Sequence, residues 1–345
     1  YMTTKLVGPA TFFLPFNLGN NCGKGNPPNP NGHRTAYLWQ EVFSKASLTN
    51  IIQHFMRLDG STKDPLEKRS LFFPRYHQLE VVRRLIADVS EQGVGKRYLI
   101  QHSAGSGKSN SIAWLAYQLV KLEKSGKTFF DSIIVVTDRV NLDRQIRDTI
   151  RQFMQERSVV GWADDSSTLG SLLNAGKKII ITTIHKFPFI LSSIGTENKD
   201  KQFAIIIDEA HSSQTGSLFA KMNMAVSGNV CDDEEDIEDK INKLIEGHRM
   251  VRNANYYAFT ATPKNKTLEM FGDAIPQPDG QVRHVAFHTY SMRQAIQERF
   301  ILDVLEHYTP VSSFYKLVKK SEDDPLFDNE KAQAKLRAYV EGDRT

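Results

Sequence analysis

The segment with the clearest chemistry in this sequence is Ser103-Ala104-Gly105-Ser106-Gly107-Lys108-Ser109. Small residues let successive backbone N–H groups surround an anion, as a phosphate-binding loop requires. A short apolar run ending at Ile100 precedes the segment, and a helical pattern starting near Lys108 follows it. The positive end of that helix favours phosphate. The pattern predicts that Lys108 contacts the β- and γ-phosphates of a nucleoside triphosphate and that the Ser109 hydroxyl binds Mg²⁺.

The loop departs from the usual GxxxxGK[ST] pattern at its first position, where His102 replaces glycine. Gly105 and Gly107 remain, so the loop backbone keeps the freedom that close contact with phosphate needs. A Gly/Ser turn with an incidental lysine is the alternative interpretation. The preceding strand and the following helix favour the phosphate loop.

The second chemical group is Asp208-Glu209-Ala210-His211, which directly follows the apolar run Phe203–Ile207, a hundred positions after Lys108. A carboxylate at a strand end beside a phosphate loop can hold Mg²⁺, and Asp208 has that place. Glu209 is then positioned to orient and deprotonate the water that attacks the γ-phosphoryl group. These four residues are common, and it is their position after a strand and a phosphate loop that makes them informative.

A third group, Thr260-Ala261-Thr262-Pro263, ends another apolar run. The hydroxyl groups of Thr260 and Thr262 could report the state of the γ-phosphate to neighbouring elements through hydrogen bonds. An ordinary strand end explains the tetrapeptide equally well.

Short apolar runs and amphipathic stretches alternate between about Arg75 and Pro263. Continuous apolar runs are typical of strands that are buried on both faces in a parallel sheet. The runs are Tyr98–Ile100, Ile133–Val136, Ile179–Ile181, Phe203–Ile207 and Tyr256–Phe259. Helices are predicted over Ile112–Leu122 and Leu142–Phe153, and a strand and then a helix after Val282. The fold class is therefore α/β, with a mostly parallel, doubly wound sheet that binds ligands at the carboxyl ends of its strands.

The amino-acid composition excludes few classes of protein. The 345 residues are 40% hydrophobic and 24% charged, with a net charge of +4, which permits a polyanionic partner but does not require one. We see no signal peptide and no apolar run long enough to span a membrane. Cys22 and Cys231 lie far apart, which fits a reducing cytosol. The acidic run from Asp232 to Asp239 is typical of a solvated loop or helix start.

The three groups, in this order, resemble the first motor domain of superfamily 2 helicases, a RecA-like domain. More narrowly, they resemble the motor (R, HsdR-type) subunit of type I restriction enzymes. That narrower resemblance rests on the loop beginning at His102, on Val136–Gln145 as motif Ia, on Thr182–Phe187 as motif Ib, and on Asp208–Gly216 as an extended motif II. Gln78 stands where this family has the glutamine that reads adenine.

The resemblance implies an ATP- and Mg²⁺-dependent motor that moves along double-stranded DNA, inside a bacterial or archaeal cytoplasm. Its partners would be the methyltransferase (M) and specificity (S) subunits, with no membrane involved. Family loops at strand ends contact the nucleic-acid backbone, so DNA contact is expected at Arg139, Thr183, His185 and Lys186. A solvated surface charge is an equally simple reading of Arg139 and Lys186. His211 joins Thr260 and Thr262 as a residue expected to couple the nucleotide to movement.

The same resemblance implies three segments. Residues 1–65 would be the end of a nuclease domain and a linker, residues 66–275 the first motor domain, and residues 276–345 the start of a second one. The nuclease carboxylates are expected before Tyr1, so this chain is not expected to cut DNA. The arginine of the second motor domain is also expected outside it, which would weaken ATP hydrolysis.

Two other functions remain open from the sequence. A DEAH-type RNA helicase would show RNA-stimulated turnover, although motifs Ia and Ib fit it less well. A nucleotide-dependent DNA-binding module would bind ATP without turnover of its own.

Overall fold

A computed structural model describes residues 1–59, 65, 68–124, 126–137, 149–150, 159–163, 165–196, 198–208 and 252–303, and every structural statement below refers to these residues. The chain divides into two compact units, Tyr1–Ile301 and Leu302–Thr345. Nearly all of the described residues belong to the first unit.

The helices and strands of the first unit follow one another as in an α/β protein. In chain order they are a π-helical turn Leu38–Val42, α1 Lys45–His54, β1 Arg57–Asp59, β2 Ser70–Phe72, α2 Tyr76–Gln92, β3 Arg97–His102, α3 Lys108–Val120, β4 Glu123–Lys124, β5 Lys127–Thr128, β6 Ser132–Thr137, β7 Val160–Trp162, α4 Ser166–Asn174, β8 Ile179–Thr183, a 3₁₀ turn Ile184–Lys186, α5 Phe187–Thr196, β9 Phe203–Asp208, β10 Ala254–Thr260, α6 Asn265–Phe271, β11 Asp273–Pro276, β12 Val282–Val285, β13 His288–Tyr290 and α7 Met292–Gln297.

Seven of the strands form one sheet in the order β13-β3-β10-β9-β6-β8-β7. Every neighbouring pair in it is parallel. All six residues of β6 and of β9 are buried, because helices cover both faces of the sheet. The predicted mostly parallel α/β sheet is confirmed.

Alternate residues of each strand enter two separate cores. In β6, Ile133 and Val135 pack with α2 and α3 on one face. Ile134 and Val136 pack with α4, α5 and α6 on the other face. Strand side chains alternate between faces, so a continuous apolar run can serve both cores. The doubly wound arrangement follows from this pattern.

The five apolar runs lie in β3, β6, β8, β9 and β10, as predicted. One strand of the sheet, β7, escaped the sequence analysis, because it contains only three residues. The strand and the helix predicted after Val282 are present as β13 and α7. The helix predicted over Leu142–Phe153 falls almost wholly outside the described residues. The boundary at residue 276 stays a prediction, and β13, which lies after it, belongs to the same sheet as β3.

No helix among the described residues has both the length and the apolar character that crossing a membrane would take.

Candidate nucleotide-binding site

The loop from Ser103 to Gly107 joins the end of β3 to the start of α3, and α3 begins at Lys108 as the sequence predicts. Gly105 has φ +71° and Gly107 has φ +81°, in the left-handed region that favours glycine. A Cβ atom at Gly107 would lie 2.5 Å from Gln78 Nε2, and one at Gly105 would lie 2.6 Å from Ile301 Cγ2. A side chain at either position would therefore have a strained backbone and would have to displace Gln78 or Ile301.

Helix α2 holds the second half of the loop through side-chain hydrogen bonds. Gln78 Nε2 donates to the carbonyl oxygens of Ser106 (3.2 Å) and Gly107 (3.1 Å). Gln78 Oε1 accepts the Arg75 N–H at 2.9 Å, which ties the start of α2 to the same amide. His77 Nε2 lies 3.0 Å from the Ser106 carbonyl oxygen. Side chains of α2 thus hold this part of the loop in its conformation.

Strand β13 holds the first half of the loop. The Ser103 N–H donates to the Tyr290 carbonyl oxygen at 3.0 Å. The Tyr290 ring stacks on His77, with 3.7 Å between ring centroids, and its hydroxyl donates to Glu298 at 2.7 Å. One step before the loop, His102 Nε2 lies 2.8 Å from His288 Nδ1. Two elements, α2 and β13, therefore support the loop together.

Lys108 is partly exposed at the start of α3, and its Nζ atom donates to the His102 carbonyl oxygen at 3.3 Å. Asp208 is buried at the end of β9. Phe259 of β10 is in register with Ile100 of β3 on one side and with Asp208 on the other. Since strands lie about 4.8 Å apart, β3 and β9 are about 10 Å apart across β10. The loop and Asp208 therefore occupy the same edge of the sheet.

The oxygen atoms available at this edge suit a magnesium ion. Mg²⁺ prefers hard oxygen ligands and commonly takes one or two carboxylates together with phosphate oxygens. Asp208 offers a carboxylate, and Ser109 offers a hydroxyl group in the first turn of α3.

The histidines beneath the loop are neutral. Burial lowers the pKa of His77 to about 3. Burial also lowers the pKa of His102 well below its ordinary value, and neighbouring His288, His77 and Lys108 lower it further. Burial disfavours the charged form of an imidazole. As neutral rings, His77 bonds the Ser106 carbonyl oxygen of the loop and His102 bonds His288 beside it.

Of the residues expected to sense the γ-phosphate, the structure describes Thr260 and Thr262, at and just after the end of β10, the strand between β3 and β9. Thr260 is fully buried at the end of β10, opposite Gln101 of β3. Its Oγ1 atom accepts the Thr262 N–H at 3.2 Å, and Thr262 is exposed. Glu209 and His211 lie outside the described residues.

Three of the four residues expected to contact DNA lie farther along the same edge. Thr183 ends β8, four strand positions from β3, which is about 19 Å at the usual spacing. Lys186 Nζ donates to Thr183 Oγ1 at 3.2 Å. His185 lies in the 3₁₀ turn between them. Arg139 lies outside the described residues.

A cavity of about 240 Å³ opens beside the loop. Gln78, Gly107 and Asn110 line the side of the cavity that faces the phosphate loop. Apolar residues form most of the remaining lining, some from the segment just before α2 and some from the start of the chain. They are Met2, Phe12, Leu14, Leu71, Phe72 and Phe73. An apolar cavity next to a phosphate loop suits a planar base.

Sequence reasoning missed His77, Glu80, His288 and Tyr290 as parts of the site, Glu80 through its Oε2 atom 3.3 Å from His288 Nε2. The first two are near Gln78 in sequence, but side chains one or two positions apart on a helix face different directions, so their spacing gave no signal. His288 and Tyr290 lie nearly two hundred positions after the loop, and only the pairing of β13 with β3 brings them there.

Comparison with known proteins assigns the family. The model of the SWI2/SNF2 ATPase family matches residues 77–336, about three quarters of the chain. The chain belongs to the SWI2/SNF2 ATPase family. The match begins within α2, at the residue before Gln78, and contains the loop, Asp208 and Thr260. The predicted helicase-like ATPase is thereby confirmed, and so is its use of ATP.

This SWI2/SNF2 ATPase chain is similar to a curated protein, the type I restriction enzyme HindI endonuclease subunit of Haemophilus influenzae. The two are 29% identical over 181 residues, which is 49% of this chain and 16% of that protein. The chain thus spans about a sixth of the length of this relative.

Two solved structures that match part of the chain are a fragment assigned as an HsdR subunit of a type I restriction enzyme from Vibrio vulnificus and a Sulfolobus solfataricus SWI2/SNF2 ATPase core in complex with double-stranded DNA. The first is 17% identical with a TM-score of 0.39, covering 79% of this chain and 38% of that one. The second is 15% identical with a TM-score of 0.32, covering 54% of this chain and 31% of that one.

Proposed function

We propose that this ATPase is the motor part of the R subunit of a type I restriction enzyme and that it couples ATP hydrolysis to movement along double-stranded DNA. The observation that carries the proposal is the shared sheet edge of the Lys108 loop and Asp208. Motifs Ia, Ib and II support the restriction-enzyme assignment, as does the similarity to the HindI endonuclease subunit.

The proposed chemistry is an in-line attack of water on the γ-phosphoryl group, which breaks the bond from the γ-phosphorus to the β–γ bridging oxygen and releases ADP and phosphate. Residues 104–109 surround the phosphates, with Lys108 neutralising their charge. Ser109 and Asp208 hold Mg²⁺, and Glu209 orients the water and takes its proton. Positioning and charge neutralisation supply most of the rate in this reaction class.

The adenine ring is proposed to enter the apolar cavity beside Gln78. Once the γ-phosphate has gone, Thr260, Thr262 and His211 would pass that change to the neighbouring strand ends. Arg139, Thr183, His185 and Lys186 would hold the DNA backbone, where phosphate contacts position a protein without reading sequence. In the assembled enzyme the M and S subunits would be its partners.

The test is the ATPase rate of the full chain with duplex DNA, single-stranded DNA or RNA. Stimulation by duplex DNA is expected, because a translocase couples turnover to its track. Lys108→Ala should abolish MgATP binding and turnover, while Lys121→Ala, at the other end of α3, should change neither.

Stimulation by RNA alone would replace the proposal with an RNA helicase. MgATP binding without turnover under all three conditions would leave only a nucleotide-dependent binding module. Normal turnover by Glu209→Gln would overturn the assignment of the base.

A further inference from the structure

We propose that His288 is a positioning residue for nucleotide binding: with Glu80 it fixes the ring of His102, the residue at which β3 passes into the phosphate loop. The inference rests on the proposed phosphate site and deepens it. It adds two residues that none of the motifs contains.

The three side chains form a continuous hydrogen-bonded chain across three elements. His102 ends β3, His288 begins β13 and Glu80 lies on α2. The distance from His102 Nε2 to His288 Nδ1 is 2.8 Å, and that from His288 Nε2 to Glu80 Oε2 is 3.3 Å. His102 is fully buried and His288 nearly so, whereas the Glu80 side chain is about a third exposed. The three hydrogen-bonded side chains therefore run from the protein surface to His102, the residue directly before the phosphate loop.

The hydrogen atoms can be assigned from the end of this chain. A carboxylate only accepts, so His288 Nε2 donates to Glu80. The buried Nδ1 of His102 has no hydrogen-bond partner among the described residues, so a proton there would be an unsatisfied donor. The ring proton of His102 therefore lies on Nε2, which donates to His288 Nδ1. The hydrogen bond made by one ring nitrogen of an imidazole sets which tautomer the ring adopts.

His102 depends on this bond more than its neighbours do. Its other ring nitrogen, Nδ1, is buried and has no hydrogen-bond partner among the described residues. The rings of His77 and Phe259 meet His102 edge-on, at centroid distances of 5.4 and 6.4 Å, and leave its tautomer undetermined. His288 therefore fixes both the tautomer and the rotation of this ring.

The consequence for nucleotide binding comes through the main chain of His102. Its carbonyl oxygen accepts from Lys108 Nζ at 3.3 Å, and the next residue, Ser103, donates its N–H to the Tyr290 carbonyl oxygen. A turned His102 would displace the carbonyl oxygen that holds the lysine. It would also displace the first N–H groups of the loop.

The test is calorimetric titration of the full chain with MgATP. His288→Leu leaves the buried His102 N–H without an acceptor, and a loss of affinity of about tenfold is expected. His288→Asn places an amide oxygen near the position of Nδ1 and should restore most of that affinity. In a His102→Leu background, His288→Leu should cause no further loss, because the two residues act through one bond.

Glu80, at the partly exposed end of the hydrogen-bonded series, can be substituted with little risk of misfolding. Glu80→Leu removes the acceptor for His288 and should weaken MgATP binding a few-fold, whereas Glu80→Gln keeps an acceptor oxygen and should not. Asn255→Ala is the matched structural control. Asn255 is fully buried and bridges Gly95, Lys96 and Gly93 at the opposite edge of the sheet. The Asn255→Ala substitution should lower the free energy of unfolding without changing the affinity for MgATP.

Wild-type affinity in both His288→Leu and Glu80→Leu would overturn the inference, and so would full additivity with His102→Leu. Equal loss of affinity in Asn255→Ala would also overturn it, because the effect would then be one of general stability. Failure of the wild-type chain to bind MgATP would overturn the phosphate site itself and this inference with it.

Discussion

Gln78 uses both ends of its amide group in this structure, which widens the role that its position in the sequence predicts. The family resemblance makes it an adenine reader. Its Nε2 atom, however, donates to two loop carbonyl oxygens, and its Oε1 atom caps the start of α2. A base that contacted Gln78 would therefore act on the same amide that holds the loop.

Gln78→Glu should weaken MgATP binding at least tenfold, because a carboxylate would face two carbonyl oxygens that now accept hydrogen bonds. Two lost bonds to buried groups cost about 1–3 kcal/mol each. Titration with MgATP and MgGTP separates two roles: a loop role weakens both nucleotides equally, whereas an adenine-reading role also removes the preference for ATP. The control is Gln92→Glu, at the exposed end of α2. Unchanged affinity in Gln78→Glu would contradict both roles.

At the scale of elements, the phosphate loop is held between α2 and β13. His77 and Gln78 hold the Ser106–Gly107 end, and β13 holds the end that follows β3. The sequence predicts a strand after Val282, but only the pairing of β13 with β3 places that strand beside the loop.

Gly107→Ala tests this packing, and Gly126→Ala is its matched control. Both glycines have left-handed backbones, with φ +81° and +77°, but only Gly107 has a neighbour where a Cβ would lie. Each substitution should lower the free energy of unfolding by about 1–2 kcal/mol from backbone strain alone. Gly107→Ala should in addition displace Gln78 and weaken MgATP binding at least tenfold. Urea unfolding and MgATP titration measure the two effects, and equal MgATP affinity in both variants would refute the packing argument.

For the whole molecule, the sequence predicted the sheet well because burial on both faces leaves continuous apolar runs such as Ile133–Val136. The motifs predicted Lys108 on the phosphate side of the site and Asp208 on the metal side, because strand ends in such a sheet meet at one edge. The support beneath the loop was unpredictable for a different reason. His102 and His288 lie 186 positions apart, and an isolated histidine carries no sign of its partner.

Buried neutral histidines should also make the fold sensitive to acid. The folded-state pKa of His77 is about 3, below the ordinary value of 6.5. The unfolded chain therefore binds more protons between these values, and stability that is complete above pH 6.5 is lost as the pH falls towards 3.

Urea unfolding at pH 7.5 and pH 5 should show a loss of about 2 kcal/mol from His77 alone, at about 1.4 kcal/mol for each pH unit below 6.5. His77→Gln keeps a donor for the Ser106 carbonyl oxygen and should reduce that loss by the same amount. His33→Gln, at an exposed histidine, should not. An identical pH dependence in wild type and His77→Gln would contradict the assignment.

Trp114 gives this ATPase a built-in optical reporter. It is fully buried on α3, the helix that starts with Lys108, and its indole N–H donates to the Phe55 carbonyl oxygen at the end of α1. Of the three tryptophans, Trp39 is half exposed, and Trp162 lies on the edge strand β7. The emission of Trp114 should therefore be blue-shifted and resistant to acrylamide quenching. Any rearrangement that separates α3 from α1 should become visible without an added dye.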